Sequence, residues 1–215
     1  MEKSTTRNKR FFQIKNYMQI KRILEYFFSL ILLVVLSPVL LTLFIVIKLS
    51  DWKAPVIYRQ VRVGKNETTF VMYKFRTMVP DADQLLGQYL DKNEIEGAMF
   101  KLKKDPRVTR LGRLLRKTSL DELPQLINVL KGEMALVGPR PPLEREVVSY
   151  SEKDKQRLSV TPGCTGLWQV SGRNELSFQE MVALDLYYIN NLSWLLDLKI
   201  IMKTIGVVFL PKGAF

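Results

Sequence analysis

Two adjacent carboxylates near the middle of the chain are the residues whose types and spacing best suit chemistry. Asp121 and Glu122 stand in the segment SLDELP, just ahead of Pro124, where a helix is predicted to begin. An acidic residue there often serves only as a helix cap or first-turn residue, and spacing alone favours that structural interpretation. The chemical interpretation is that adjacent carboxylates cannot face the same way, so one can attack while the other binds a cation or handles a proton. A carboxylate that attacks phosphorus, as in aspartyl-phosphate enzymes, needs no histidine.

The composition narrows the chemistry that is available. The chain has 215 residues, no histidine and one cysteine, Cys164. These counts exclude histidine metal sites, Ser-His-Asp and Cys-His catalysis, and a disulfide within the chain. Without a histidine partner, Cys164 is interpreted as a small packed residue rather than a nucleophile.

The charge balance predicts an anionic partner. Lys and Arg number 33 against 21 Asp and Glu, a net charge of +12. Nucleic acid, anionic lipid and a phosphorylated substrate all fit that balance. Nucleic acid is disfavoured because no basic strand is interleaved with aromatic residues of the kind that stack on bases.

Three arginines are candidates for holding phosphate. Arg116 belongs to a dense basic segment, residues 101–117, whose simplest interpretation is a solvated or lipid-facing helix surface. It precedes the acidic pair by about one and a half helical turns, and its guanidinium could hold a phosphate through two parallel hydrogen bonds. Arg140 and Arg173 stand in the Gly/Pro-rich loops LVGPRPP and TPGCTGLWQVSGRN. Such loops bring backbone N–H groups and guanidinium groups to phosphate oxygens.

An uncharged run from Tyr26 to Ile47 is long enough, as a helix, to cross a bilayer. No small-residue cleavage site follows it, so a removable signal peptide is not expected. Both flanks are basic, and a helix that enters the membrane and turns back keeps both flanks in the cytoplasm. Ser37 and Pro38 stand in the middle of the run, where proline predicts a kink. The pattern favours a re-entrant hairpin; a bitopic anchor with a tolerated proline is the alternative.

The elements after this run are predicted from local patterns. Residues 54–64 and 68–78 are rich in β-branched and aromatic residues and predict a hairpin. Helices are predicted over 80–90, around Leu111 to Leu115, from Glu122 to Leu130 with Gly132 at its end, and after Ser177, with Glu180 completing a capping box.

A last helix is predicted in the segment SWLLDLKIIMKTIGVVFLPKG. Its apolar face is assigned to Trp194, Leu195, Leu198, Ile201, Ile205 and Val208, with Asp197, Lys199 and Lys203 elsewhere. An apolar face of this kind lies in a membrane interface or packs on the domain core, and the pattern leaves both open.

Together these elements predict an α+β fold that is mostly helical. We expect a basic N-terminal segment over residues 1–25 and a re-entrant membrane helix over 26–49. A small catalytic domain on the cytoplasmic face, with interfacial amphipathic helices, would follow over 50–215. The sequence contains no internal repeat or low-complexity tract.

Four segments carry a resemblance to a known family. They are YKFRTM, the segment DPRVTRLGRLLRKTSLDELPQLINVLKGEMALVGPRP, the loop TPGCTGLWQVSGRN, and DLYYINNLSWLLDLKIIMKTI. They resemble the bacterial sugar transferases, which are monotopic polyprenyl-phosphate phosphoglycosyl transferases. The resemblance covers nearly all of the chain after Arg22, and the long central segment is highly specific.

The resemblance implies a two-step transfer. Asp121 would be the nucleophile and a Mg²⁺ ligand: it would attack the sugar-bearing phosphorus of a UDP-sugar, release UMP and form a phosphosugar ester. Undecaprenyl phosphate would then take the phosphosugar. Glu122 would support the metal or handle a proton, and Arg116, Arg140 and Arg173 match the family's phosphate-holding positions.

The resemblance also implies a place in the cell. The family's re-entrant helix breaks at a Ser-Pro pair that matches Ser37 and Pro38, so the protein would lie in the inner membrane of a bacterium with its catalytic domain on the cytoplasmic face. Because larger relatives carry extra membrane helices and a further domain, this chain resembles a minimal catalytic form. The motif GLWQVSGRN resembles that of members that transfer glucose or galactose 1-phosphate at the start of exopolysaccharide, capsule or O-antigen assembly.

The sequence leaves open two rival functions and whether the protein forms a homodimer. One rival is a glycosyltransferase that releases UDP, and the other is a basic membrane adaptor whose function survives loss of the Asp121 carboxylate. Partners are expected to include the lipid bilayer, and a homodimer is left open.

Overall fold

The computed structural model describes residues 2–94, 100, 102, 104–172 and 176–209. Over these residues the chain is mostly helical, with an antiparallel sheet of strands β1 (Ile57–Val63) and β2 (Thr69–Phe75) and a parallel sheet of β3 (Ala135–Val137) and β4 (Gly163–Thr165). The predicted α+β, mostly helical class is confirmed.

Two consecutive helices form a bent pair at the N-terminal end. Helix α1 spans Glu2–Val35 and α2 spans Ser37–Ser50. The two are bent by 61° at the place where the sequence predicts a kink. Pro38 lies in the first turn of α2, where its missing N–H breaks no helical hydrogen bond, and Ser37 Oγ donates to the Val34 carbonyl at 2.7 Å.

The bent pair has the length and composition to enter a bilayer, whereas no single helix among the described residues passes that test. Its large apolar side chains are mostly exposed, including Phe27, Phe28, Ile31, Val34, Val35, Leu41 and Leu49. A contiguous apolar surface of this kind marks contact with lipid or with another protein. Helix α1 continues without a break across residue 25, so the expected boundary there falls inside one helix.

The predicted hairpin is confirmed, and it anchors the end of α2. Strands β1 and β2 pair with Tyr58 opposite Lys74, and the turn between them contains Asn66 at φ 53°. Ile47 of α2 packs in a buried cluster with Val56, Phe75 and Leu115.

The next helices partly follow the predictions. The helix expected over 80–90 is a single α-turn, α3 (Ala82–Leu85), followed by a 3₁₀ segment, Leu86–Lys92. Helix α4 spans Arg110–Lys117 and is capped by Thr109, whose hydroxyl accepts from the Gly112 N–H at 2.9 Å.

The helix predicted from Glu122 begins later. Residues Leu120–Glu122 form a 3₁₀ turn, because Ser119 adopts a left-handed conformation (φ 56°) and breaks the path from α4. Helix α5 then spans Gln125–Lys131 and ends at Gly132, as predicted, with φ 86°.

The C-terminal half contains strands β3 and β4 with short helices around them, which the sequence patterns do not predict, and two longer helices, which they do. Helices α6 (Glu144–Val147) and α7 (Glu152–Lys155) are each one turn long. Helix α8 spans Phe178–Asn190 and carries the predicted capping box of Ser177 and Glu180.

In helix α9, Trp194–Phe209, the polar residues are not distributed as predicted. Asp197 is buried instead of facing away from the apolar side chains, and Ile200 is its fully buried neighbour. The reason is a buried lysine on α1 that pairs with Asp197. Leu195, Leu198 and Ile205 are exposed, so α9 packs on the core through one face and presents apolar residues on another.

Candidate active site

The acidic pair lies in the wall of a cavity of about 660 Å³. The 3₁₀ turn between α4 and α5 holds both carboxylates, and the left-handed Ser119 that starts the turn also lines the cavity. Arg116 and Arg140 line the same cavity. The structure therefore brings together four of the five residues that the sequence nominates for the site.

The fifth nominated residue, Arg173, lies outside the described residues. Its neighbours in the same loop do reach the cavity: Cys164, Trp168 and Gln169 are part of its lining.

Glu122 is held by two cations. Lys74 Nζ lies 2.6 Å from Glu122 Oε1, and Arg140 Nη1 lies 3.5 Å from the same oxygen. Burial by itself would raise the pKa of Glu122, but the charges and hydrogen bonds of Lys74 and Arg140 hold that pKa at about 2. Glu122 is therefore ionised at neutral pH and engaged with its neighbours.

Asp121 has a different environment. It is 7% exposed and forms no ion pair or side-chain hydrogen bond with the other residues that the structure describes. Burial raises its pKa above the ordinary aspartate value, partly offset by the charge of Lys74. Its carboxylate is thus free for a bound substrate or metal.

Lys74 is a functional candidate that sequence reasoning missed. It stands on β2, and its side chain is mostly buried against Glu122. Burial lowers the pKa of Lys74, while Glu122 raises it. The signal that could have found it is its place in YKFRTM, one of the segments that carry the family resemblance.

Of the three arginines nominated to hold phosphate, the two that the structure describes, Arg116 and Arg140, are positioned by different elements. Arg116, on α4, donates from Nε to Thr77 Oγ1 at 3.0 Å and forms no ion pair within the described part of the chain. Burial lowers the pKa of Arg116, an environment that favours an anionic ligand. Arg140 lies in the loop GPRPP, which follows β3, and its guanidinium pairs with Glu122.

A further arginine, Arg62, fixes the loop that carries Arg140. Its Nη1 donates to the Pro141 carbonyl at 2.9 Å, while its Nε and Nη2 donate to Gln60 Oε1 at 3.0 and 2.6 Å. The Val63 N–H donates to the Pro142 carbonyl at 2.9 Å. Burial lowers the pKa of Arg62 to about 10. No sequence signal distinguished this residue from the exposed Arg59 on the same strand.

Cys164 lines the cavity but has the environment of a packed residue. It lies against the buried cluster of Met72, Val129 and Met134. Burial raises the pKa of its thiol well above the usual value, and an uncharged thiol is a poor nucleophile. These surroundings agree with its interpretation as a packed residue.

The carboxylates of the cavity suit a divalent cation that is held jointly by the protein and by substrate phosphates. Among the described residues no group of three or more carboxylates, cysteines or histidines could hold a metal ion alone. Magnesium typically uses one or two protein carboxylates together with substrate phosphates. Asp121 is a carboxylate of the cavity wall without a side-chain partner among the described residues, and it could serve this purpose.

Comparison with known families decides the class of protein. Residues 16–211 match the family model described as bacterial sugar transferase. The chain belongs to the bacterial sugar transferase family. The resemblance and the transferase class predicted from the sequence are both confirmed.

Individual members of the sugar transferase family are closely similar to this chain. Galactosyl transferase CpsE of Streptococcus agalactiae is 49% identical over 176 residues, which cover 81% of this chain and 39% of CpsE. Exopolysaccharide production protein ExoY of Sinorhizobium fredii is 43% identical over 91% of this chain and 88% of ExoY. The undecaprenyl-phosphate galactose phosphotransferase of Salmonella typhimurium is 42% identical over 91% of this chain and 42% of that enzyme. The chain thus spans about two-fifths of the length of two of these relatives and nearly all of the third.

Proposed function

We propose that this protein is a phosphoglycosyl transferase that moves hexose 1-phosphate, from galactose or glucose, from a UDP-sugar to undecaprenyl phosphate. The observation that carries the proposal is the asymmetric carboxylate pair: Asp121 has no side-chain partner, while Glu122 is fixed by Lys74 and Arg140. The name of the Salmonella relative supports the choice of acceptor and of galactose.

In the first step the Asp121 carboxylate attacks the phosphorus that bears the sugar. A bond forms between a carboxylate oxygen and phosphorus, and the bond from phosphorus to the bridging oxygen breaks, so UMP leaves with the electron pair. Arg116 and Arg140 hold the phosphate oxygens on which charge develops. The leaving phosphate has a second pKa of about 6, so its departure needs no proton donor.

In the second step an oxygen of undecaprenyl phosphate attacks the phosphorus of the phosphosugar ester. The bond from phosphorus to the Asp121 oxygen breaks and returns the carboxylate, leaving an undecaprenyl-diphosphate sugar. The attacking phosphate is already ionised near neutral pH, since its last pKa is about 6. Neither step requires a histidine or another general base, which accounts for catalysis in a chain that lacks histidine.

A bound Mg²⁺ would be held by Asp121 together with substrate phosphates, and it would neutralise charge on the group being transferred. Glu122 would contribute by ordering Lys74 and Arg140 around that group.

The bent pair α1 and α2 would enter the cytoplasmic leaflet and return, with the catalytic part on the cytoplasmic face. Its exposed apolar surface and the basic residues on both flanks support this orientation. The exposed apolar residues of α9, among them Leu195, Leu198 and Ile205, support an interfacial position for that helix. The reaction would begin assembly of a surface polysaccharide, and a homodimer remains a prediction.

The experiment that tests this function is nucleotide release by the purified protein. UDP-galactose and UDP-glucose are each supplied with Mg²⁺ and undecaprenyl phosphate, and UMP is resolved from UDP. UMP from one donor, with a sugar diphosphate on the lipid, supports phosphosugar transfer and names the sugar. UDP would assign the protein to ordinary glycosyl transfer. If neither UMP nor UDP is released from either donor, the hexose proposal is contradicted.

A further inference from the structure

A buried polar cluster joins α1 to the catalytic part of the chain, outside the cavity that holds the carboxylates. Lys21 Nζ lies 2.6 Å from Asp197 Oδ2, 3.2 Å from Glu25 Oε1 and 3.2 Å from the Tyr188 hydroxyl. These four side chains belong to residues that are at most 8% exposed. We call this set, Lys21, Glu25, Tyr188 and Asp197, the α1 clamp.

The α1 clamp connects four elements of the fold. The Tyr188 hydroxyl on α8 lies 2.8 Å from Asp197 Oδ1 on α9 and 3.1 Å from the Val137 carbonyl oxygen on β3. Glu25 Oε1 accepts from the backbone N–H groups of Leu136 and Val137 at 3.0 and 3.2 Å. Helix α1 is thereby fixed to β3, α8 and α9.

The chemistry of the α1 clamp is more specific than attachment requires. Apolar residues of similar volume often join two helices with equal or greater stability, because buried charges are costly to desolvate. Buried ionic groups instead favour one relative placement, since any shift that separates them leaves an unpaired charge in the interior. The α1 clamp therefore defines a single position for α1 against the catalytic part.

That position matters because of what lies on either side of the α1 clamp. Directly after Glu25, α1 enters the apolar run that begins at Tyr26. On the other side, β3 ends at Val137 and leads into the loop with Arg140. The α1 clamp is the junction between the bent apolar pair and the active-site cavity.

We propose that Lys21, Tyr188 and Asp197 are positioning residues for the lipid acceptor: they set the height and tilt of the cavity above the bilayer. The inference rests on the proposed function. A UDP-sugar reaches the cavity from water, so its binding does not depend on that height. The phosphate of undecaprenyl phosphate is tethered to the bilayer and must reach the ester on Asp121, so small displacements of the cavity weaken this step selectively.

The test compares two acceptors with the full chain in lipid nanodiscs. One is undecaprenyl phosphate in the bilayer, and the other is geranyl phosphate, a short prenyl phosphate that enters from water. In Lys21→Met we expect kcat/KM for undecaprenyl phosphate to fall about tenfold or more, while transfer to geranyl phosphate and the single-turnover release of UMP stay within about twofold. Tyr188→Phe, which removes one oxygen, should change the acceptor ratio in the same direction by about threefold.

The matched control is Lys15→Met, the same change at an exposed position on the same helix, and it should leave the acceptor ratio unchanged. Equal losses with both acceptors, or no loss with either, would overturn the proposal. If Lys21→Met does not fold, Tyr188→Phe decides the question.

A second readout does not depend on activity. A fluorophore on Val148→Cys, a position that is 89% exposed, reports distance from the bilayer through quenching by nitroxide-labelled headgroups. Quenching should change in Lys21→Met and Tyr188→Phe and stay constant in Lys15→Met; constant quenching in all three would overturn the proposal. Should the wild type release no UMP, the proposed function fails while the quenching result still tests the α1 clamp.

Discussion

Lys74 Nζ lies 2.6 Å from Glu122 Oε1, and the adjacent carboxylate of Asp121 has no side-chain partner among the described residues. The two neighbours in sequence are therefore opposite in environment: one is fixed by cations and the other is free. In the proposed mechanism, this difference favours Asp121 over Glu122 as the carboxylate that attacks. A nucleophile needs an oxygen that no cation already holds, and Glu122 has its Oε1 engaged with both Lys74 and Arg140.

Of the two carboxylates, Asp121 and not Glu122 should shape the pH dependence of kcat/KM for the UDP-sugar, a constant that does not include attack by the acceptor phosphate. The pKa of Glu122 is about 2, so this carboxylate is ionised throughout an assay range and contributes no limb to the profile. The pKa of Asp121 is raised by burial, so turnover should fall as pH falls through that value. Glu122→Gln removes a negative neighbour that raises the pKa of Asp121, so its acid limb should move to lower pH.

The measurement is kcat/KM for UMP release as a function of pH, extended downward to the lowest pH at which the protein stays folded. Wild type and Glu122→Gln are compared in the same buffers. An acid limb that stays at the same pH in Glu122→Gln would contradict its assignment to Asp121.

Replacing the nucleophile should stop the reaction without disturbing membrane insertion. In Asp121→Asn the carboxylate oxygen that forms the ester is lost, and we expect UMP release to fall by about 10³-fold or more. The phosphosugar adduct, measured by intact mass after incubation with the UDP-sugar alone, should be absent. Asp83→Asn, a change in another carboxylate of the same cavity, is the control and should retain the adduct. Normal turnover in Asp121→Asn would end the covalent mechanism.

Features that depend on neighbours in sequence were predictable. The hairpin, the end of α5 at Gly132, the capping box of Ser177 with Glu180 and the bend at Pro38 each follow from residues a few positions apart. Arg116 and Arg140 could also be nominated, because a basic helix and a Gly/Pro-rich loop are local patterns that suit phosphate.

Features that depend on distant pairs were not predictable from local patterns. Lys74 and Glu122 are 48 residues apart, and no periodicity connects a strand residue with a later turn. Asp197 was placed away from the apolar face of α9 because a helix pattern cannot identify Lys21, 176 residues earlier, as its buried partner. Arg62 was overlooked for the same reason, since its contact with Pro141 spans 79 residues.

The loop that carries Arg140 should lose its position when Arg62 is replaced. Arg62→Met keeps much of the volume and removes the hydrogen bonds to Pro141 and Gln60. We expect KM for the UDP-sugar to rise by about tenfold with a smaller change in kcat, because the loss is mainly in ground-state binding of phosphate. Steady-state kinetics of UMP release measure both constants. Arg59→Met, an exposed arginine on the same strand, is the matched control, and an unchanged KM in Arg62→Met would show that the loop holds Arg140 without it.

The close packing of Gly112 against Thr77 positions α4, the helix that carries Arg116. A Cβ at Gly112 of α4 would lie 1.9 Å from the Thr77 carbonyl oxygen, so α4 can approach this strand end only with glycine there. Gly112→Ala should push α4 away from Thr77 and weaken the bond from Arg116 Nε to Thr77 Oγ1. We expect a loss of about 1–3 kcal/mol in stability from the overpacking, together with reduced turnover.

Gly87→Ala provides the comparison, because a Cβ at Gly87 meets nothing within 4 Å. The apparent melting temperature in detergent and kcat/KM for UMP release are measured for both variants. Gly112→Ala should be lower in each, and Gly87→Ala should match the wild type. Equal behaviour of the two variants would mean that α4 can withdraw from Thr77 without moving Arg116 out of the cavity, and the packing of α4 would then have no part in holding phosphate.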